Sequence, residues 1–444
     1  MNFKSLFNKN KISNKLFLLF IFIVIAMFVH YSFKLNWFLF ITLSAIFLYM
    51  TIIFIFTYFL YPEISKTKKL PAKLPQVVAV TYAFNDWTAV RYTVEKLKKL
   101  KYPKKVPIYV ITDGTCKFLD SDKDITQIVL PKKYFTGNQI NVKATIMNLG
   151  LKKIKTDYLF CVDGDTLPNA DALINMVGFM TKNVAVVNGI LLPSNNKNFL
   201  EKLQTLEYNF SWGISLRVLS ALNSISVAVG GMCLIKKAAF DKVGGYDETN
   251  VTEDRELAYR LMEEGYVIRC AESSRGYTEV PNTIKSFFNQ RFRWYTGEIA
   301  TICKHKKFLF NHNQDVFGLI VLPYTFIMQI VGVALVIKML FFNFKNWLIF
   351  NYYYLLESLK YGVLSLQFSK FVYLPSTTIM GGMIICIFII FALLSFSFSD
   401  FELKPKYYFP FFIFSSLYGA GLLGIYIYSM IREFLGSDYR WVKS

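Results

Sequence analysis

Long apolar stretches at the two ends of the chain enclose a middle in which apolar runs are short and alternate with helix-periodic segments. At the N-terminal end, residues 16–31 and 37–61 read as a membrane hairpin. Lys4, Lys9, Lys11 and Lys15 precede it without an acid, and no small-residue cleavage site follows its first arm. The basic start is therefore expected in the cytoplasm. Residues 65–75 place Lys66, Lys68, Lys69 and Lys73 beside Pro71 and Pro75, a basic linker at the membrane surface. From there to about residue 284 the pattern changes. Strands are expected at 77–80, 106–112, 158–162 and 184–191, and helices at 87–100, 141–153 and 255–264. This alternation predicts an α/β domain with a mainly parallel sheet, whose ligands sit at the carboxyl ends of the strands.

A helix starting near Asn282 leads to Trp294, and apolar spans follow at 316–342, 377–398 and 407–431. A further stretch, 347–367, is interrupted by Glu357 and Lys360. Counted as a span, it leaves the tail with Arg432, Arg440 and Lys443 inside, as the charge bias favours; counted as an interfacial helix, it puts that tail outside. The expected organisation is a transmembrane hairpin (1–61), a cytoplasmic domain (62–284), interfacial helices (285–315) and a C-terminal transmembrane bundle (316–444).

Composition agrees with a protein partly solvated by lipid. Of 444 residues, 54% are hydrophobic, with 44 Phe and 28 Tyr. The net charge of +20 raises the possibility of nucleic acid, but the lysines lie beside apolar spans and form no aromatic-interleaved patch. Attraction to anionic lipid accounts for them, and nucleic acid is set aside. The cysteines form no CxxC pair, so buried reduced thiols are expected. Three scattered histidines exclude a zinc site.

The candidate chemistry lies at strand ends. Asp163-Gly164-Asp165 closes an apolar strand, and two carboxylates two residues apart point the same way. Such hard oxygens suit Mg²⁺ or Mn²⁺, although Asp-Gly-Asp is also a common turn. Asp113, beside Gly114, reads as a contact to a base or ribose, or as an ordinary turn. Lys143 suits a phosphate or base carbonyl, or a solvated helix face. Thr252-Glu253-Asp254 opens a helix, either as N-cap and first-turn acids or with one carboxylate aimed into a cleft as general base. Gln290, Arg293 and Trp294 share a helix face that suits a stacked sugar and a gripped phosphate, or a headgroup-level tryptophan.

In order, Asp113, Asp163-Gly164-Asp165, Thr252-Glu253-Asp254 and Gln290-Arg291-Phe292-Arg293-Trp294 resemble the D, DxD, TED, QxxRW signature of processive family 2 glycosyltransferases. These are the cellulose, hyaluronan and poly-N-acetylglucosamine synthases. The segment from Ala228 through Gly230 and Gly231 to Lys237 also looks like the family's acceptor-site stretch. The resemblance implies a GT-A-type domain between transmembrane helices. By that resemblance Asp113, Lys143 and Asp163 would contact the nucleotide, Asp165 the metal, and Asp254 would act as base with Glu253 beside it. Gln290, Arg293 and Trp294 would hold acceptor and diphosphate. Three departures bear on nucleotide contacts: the stretch from Thr81 through Tyr82 to Asp86, Thr112 for an aspartate, and Val142 for a glycine.

The implied reaction is a single displacement with inversion, using a UDP-sugar donor and a growing polysaccharide as acceptor. Similarity around Leu203 to Tyr208 and Gln290 to Trp294 leans toward poly-N-acetylglucosamine synthases. The alternatives are a membrane enzyme adding one sugar to a lipid acceptor, and a non-catalytic transporter or scaffold. Product length separates the first from a synthase, and neutralising Asp165 and Asp254 tests the second.

Overall fold

The computed structural model describes residues 70–83, 87–112, 123–135, 140–311, 316–338, 344–361 and 376–436. The expected hairpin of 1–61 lies outside them. The described strands are β1 Val77–Tyr82, β2 Ile108–Thr112, β3 Ile125–Val129, β4 Tyr158–Val162, β5 Thr166–Pro168, β6 Val184–Pro193, β7 Met232–Lys236 and β8 Val267–Thr278. They form one sheet in the order β3-β2-β1-β4-β7-β6-β8-β5. The pairs β2–β3, β1–β2, β1–β4 and β6–β8 are parallel, as expected. The sheet is nevertheless mixed, because β7 runs antiparallel to both β4 and β6, and β5 runs antiparallel to β8. A period-two pattern encodes a face and not a direction, so the sequence carried no sign of this reversal.

The near-continuous apolar runs of β1, β4, β6 and β7 are buried on both faces, as central strands must be. Helix α1 (Trp87–Lys98) contributes Val90, Val94 and Leu97 to the core, and α2 (Val142–Leu151) contributes Ala144, Ile146 and Leu151. Asn141 starts α2 by accepting the Ala144 N–H at 3.0 Å, a side-chain cap for one orphan donor.

The following helices are α3 Ala172–Val177, α4 Phe199–Phe210, α5 Leu216–Ala221, α6 Lys237–Lys242, α7 Glu253–Glu263 and α8 Ile284–Lys304. Apolar helices come next: α9 Leu322–Lys338, α10 Phe344–Tyr361, α11 Ser376–Phe398, α12 Tyr408–Ile413 and α13 Gly419–Phe434. The helical run Pro405–Phe434 spans 30 residues, and among the described residues it alone is long and apolar enough to cross a membrane. It packs on α8: Phe287 and Phe292 share a cluster with Tyr418 and Ile425, and Ile299 and Cys303 share one with Tyr426 and Met430. Cys161, Cys233, Cys270 and Cys303 are buried free thiols, whereas Cys386 on α11 is exposed.

Candidate active site

The carboxyl ends of β1 and β4 and the first turns of α2 and α7 open onto one cavity of about 1340 Å³. Tyr82, Lys143, Asp163, Asp165, Glu253 and Asp254 line it on that side, and Gln290, Arg293 and Trp294 line it from α8. Side chains spread over more than two hundred residues of sequence thus meet in one place.

Asp163 is set by its backbone, whose N–H donates to the Gly231 carbonyl at 3.1 Å. Gly164 accommodates the protein itself: a Cβ there would lie 2.7 Å from the Tyr82 carbonyl oxygen and 2.9 Å from Val90 Cγ2. The Asp163 carboxylate turns toward α2, where Lys143 Nζ stands 2.8 Å from it and 3.1 Å from Glu253 Oε1. Asn141 Nδ2 donates to the other Glu253 oxygen at 2.7 Å. Lys143 is buried, which corrects the reading of a solvated helix face: it is the shared counter-ion of the two acidic motifs. The same Nζ sits 5.4 Å from the Tyr82 ring centroid.

Burial pushes the Asp163 carboxyl up to about 6, with Lys143 opposing and Asp165 adding to the rise. Burial acts against the Lys143 charge, but Asp163, Tyr82, Glu253 and Asp254 more than offset it, so its pKa stands well above the ordinary value. Glu253 would rise by burial, yet Lys143, Asn141 and its own backbone hold it below the usual range. Asp254 goes the other way: burial and neighbouring Glu253 raise it, while Lys143, Gly230 and Arg255 pull it back only in part. Two adjacent carboxyls pushed in opposite directions have the form of an acid–base assignment. Asp254 Oδ2 accepts from the Gly230 N–H at 3.2 Å, and its Oδ1 from the Arg255 N–H at 2.8 Å.

Thr252 occupies the N-cap of α7 without capping it by its side chain. Its hydroxyl instead lies 3.2 Å from Asn250 Oδ1, and the expected cap is corrected accordingly. Asp165 stands on the cavity wall as an exposed carboxylate, a hard oxygen donor. Among the described residues no group of three or more His, Cys, Asp or Glu side chains would cage an ion. The donor set therefore fits a cation that takes its remaining oxygens from a diphosphate and water. Asp113 lies outside the described residues.

On α8, Arg291 is 1% exposed and lines the cavity beside Arg293. Its Nη2 pairs with Glu207 Oε2 at 2.6 Å, and its Cζ lies 4.2 Å from the Trp294 ring centroid. Tyr418 donates to the same Glu207 oxygen at 2.6 Å. No sequence pattern points to this triad: Glu207 lies in the Leu203–Tyr208 stretch, but its partners are distant in sequence. Beyond Trp294 the cavity continues along Phe317, Val321 and Leu322 to Phe391.

The profile of the family described as "Glycosyl transferase family group 2" matches residues 158–399, more than half of the chain. The chain belongs to this glycosyltransferase family. The poly-beta-1,6-N-acetyl-D-glucosamine synthase of Staphylococcus epidermidis is 31% identical over 221 residues, 48% of this chain and 52% of that protein. Its counterpart in Staphylococcus aureus strain COL is 28% identical over 243 residues, 52% of this chain and 58% of that one. The glycosyltransferase thus spans about half the length of the curated relatives it matches. A mannosyltransferase from Pyrobaculum calidifontis, solved with GDP-Man and Mn²⁺, aligns with 82% of this chain and 98% of its own at 14% identity and a TM-score of 0.47.

Proposed function

We propose that this glycosyltransferase is an inverting membrane polysaccharide synthase that extends a β-linked polymer from a UDP-sugar and passes it out along its transmembrane helices. N-acetylglucosamine is the sugar favoured by the similarity to the staphylococcal synthases. The observation that carries the reading is the continuity of one cavity from Asp163, Asp165 and Asp254, past Trp294, to the apolar helices. In this proposal residues 1–61 and 316–444 are the multi-pass membrane parts, residues 62–284 the cytoplasmic domain, and 285–315 the interfacial region.

Asp113 and Asp163 contact the nucleotide, with Lys143 and Glu253 behind Asp163 fixing where it stands. Asp165 would hold a divalent cation, Mg²⁺ or Mn²⁺, and such an ion would supply positive charge beside the leaving diphosphate. Arg293 adds its guanidinium at the same developing charge, and Trp294 with Gln290 holds the acceptor sugar. Asp254 takes the proton from the acceptor hydroxyl; that oxygen bonds to C1 of the donor as the C1–phosphate bond breaks, and the electron pair departs on UDP. The raised pKa of Asp254 suits a base that must accept a proton near neutral pH.

A donor screen on membranes holding the full chain, reading released nucleotide and product length, tests this. UDP-N-acetylglucosamine should give long polymer, and Asp254→Asn should lower turnover by about 10²- to 10⁴-fold while UDP binding holds within about twofold. Product confined to lipid-sized species would instead support single addition to a lipid acceptor. The apolar lining by Phe317, Val321, Leu322 and Phe391 favours that second reading. Turnover unchanged in both Asp165→Asn and Asp254→Asn would remove the catalytic assignment.

A further inference from the structure

Asn188 is a polar side chain at 0% exposure in the middle of β6, among Val184, Val186, Val187 and Ile190. A strand buried on both faces gains nothing from an amide there unless its polar atoms are bonded. Both ends of this amide are bonded to one loop. Asn188 Nδ2 donates to the Val227 carbonyl at 2.8 Å, and its Oδ1 accepts the Val229 N–H at 2.9 Å. The pairing of β6 with β8 changes register immediately after it, between Gly189 and Ile190, the kind of irregularity that re-aims a side chain.

The gripped loop touches both acidic motifs. Ala228 N–H donates to the Asp254 carbonyl at 3.1 Å, and Gly230 N–H reaches the Asp254 carboxylate at 3.2 Å. The Gly231 carbonyl accepts the Asp163 N–H at 3.1 Å. The loop backbone passes close to the site: a Cβ at Gly230 would lie 2.9 Å from Lys143 Nζ and 3.4 Å from Asp254 Oδ2.

We propose that Asn188 is a positioning residue of the transfer reaction: by clamping the 227–231 loop on both sides, it fixes the Asp254 carboxylate relative to the Asp163–Asp165 pair. The inference rests on the assignment of Asp254 as the base. Asn188 touches neither substrate nor the reacting atoms, and it acts only through the loop's backbone.

Two variants of the full chain test it. Asn188→Ala removes both bonds, and Asn188→Asp keeps the side-chain volume and the acceptor for Val229 N–H but not the donor to Val227. Hydrogen exchange of peptides covering 226–232 should accelerate in both, while peptides from β1 and β4 keep their protection. With UDP-N-acetylglucosamine and Mn²⁺, kcat should fall about 10- to 100-fold in Asn188→Ala, since small misplacements of a reacting group cost that much. KM for the donor should stay within about twofold, and Asn188→Asp, which sets a buried carboxylate oxygen against the Val227 carbonyl, should fall at least as far as Asn188→Ala. Unchanged exchange in 226–232 overturns the inference, as does a fall in kcat matched by equal losses in donor affinity and thermal midpoint. If Asp254→Asn keeps its turnover, the base assignment itself fails. If Asp254→Asn is inactive and Asn188→Ala retains wild-type kcat, this inference fails alone.

Discussion

Lys143 answers for three carboxylates at once, and its removal would expose what each of them costs. Breaking a buried pair from one side leaves uncompensated charge, a loss of about 3–5 kcal/mol. Lys143→Met should therefore lower the thermal midpoint sharply at neutral pH, with buried Glu253 and half-buried Asp163 left beside Asp254. The sign with pH follows from the direction of the shifts. Without the ammonium, both carboxyls have higher folded-state pKa values than in the wild type, so the destabilisation is full at high pH and shrinks as acid protonates them. Melting curves from neutral pH down to about 5 check this; a deficit that grows on acidification would contradict it. The individual motif residues were readable in the sequence because polar residues end apolar strands or open helices there and together resemble the family 2 signature. Their partnerships were not: Lys143 meets Glu253 across 110 positions, and no local pattern encodes such a meeting.

At the scale of elements, the start of α7 and the end of α8 are joined by a second charged cluster behind the site. Glu256 is completely buried and accepts from Arg260 Nε at 2.7 Å, from Lys304 Nζ and from His305 Nε2 at 3.3 Å. Burial alone would raise its pKa, but those donors hold it at about 2, against an ordinary value of 4.5. A depressed folded-state pKa gives stability that is present above 4.5 and is lost as pH falls toward about 2. Glu256→Gln should cost about 3 kcal/mol at neutral pH, and the gap to wild type should close across that acid window in melting experiments on detergent-solubilised protein. The strands at β1, β2, β4 and β6 and the helices α1, α2, α7 and α8 were legible from apolar runs and helical periodicity. β3, β5, β7 and β8 were not. β7 is five residues long behind two glycines, and β8 mixes Arg269, Glu272 and Arg275 into its alternation. Without β7 and its antiparallel direction, nothing in the pattern explains why Gly230 and Gly231 arrive beside the end of β4.

The whole molecule holds together because the sheet domain and the apolar helices approach at their backbones. A Cβ on Gly213 would lie 2.1 Å from the Ser395 carbonyl oxygen of α11, and Ser395 Oγ donates to the Phe210 carbonyl at 2.7 Å. Gly213→Ala should force these elements apart, lowering stability by about 1–3 kcal/mol, as overpacking does. Turnover should fall with it, because α11 supplies Phe391 to the cavity. A thermal midpoint equal to wild type would show that the contact is dispensable. Ion dependence also belongs to this scale, since the diphosphate would complete a site that the protein begins with Asp165. Chelation with EDTA should abolish nucleotide release and weaken UDP binding, and added Mg²⁺ or Mn²⁺ should restore both.

The placement of the thiols has a practical outcome for watching this molecule at work. Four of the five described cysteines are sealed in the interior, and Cys386 alone is open. Cys386 lies midway along a proposed span, where lipid would keep its thiol unreactive. With Cys116 replaced by serine and Glu402→Cys introduced at the exposed position just past α11, a maleimide dye would settle there without disturbing the acidic centre. Fluorescence from that dye during turnover would then tell whether the bundle stays still or shifts as each sugar is joined.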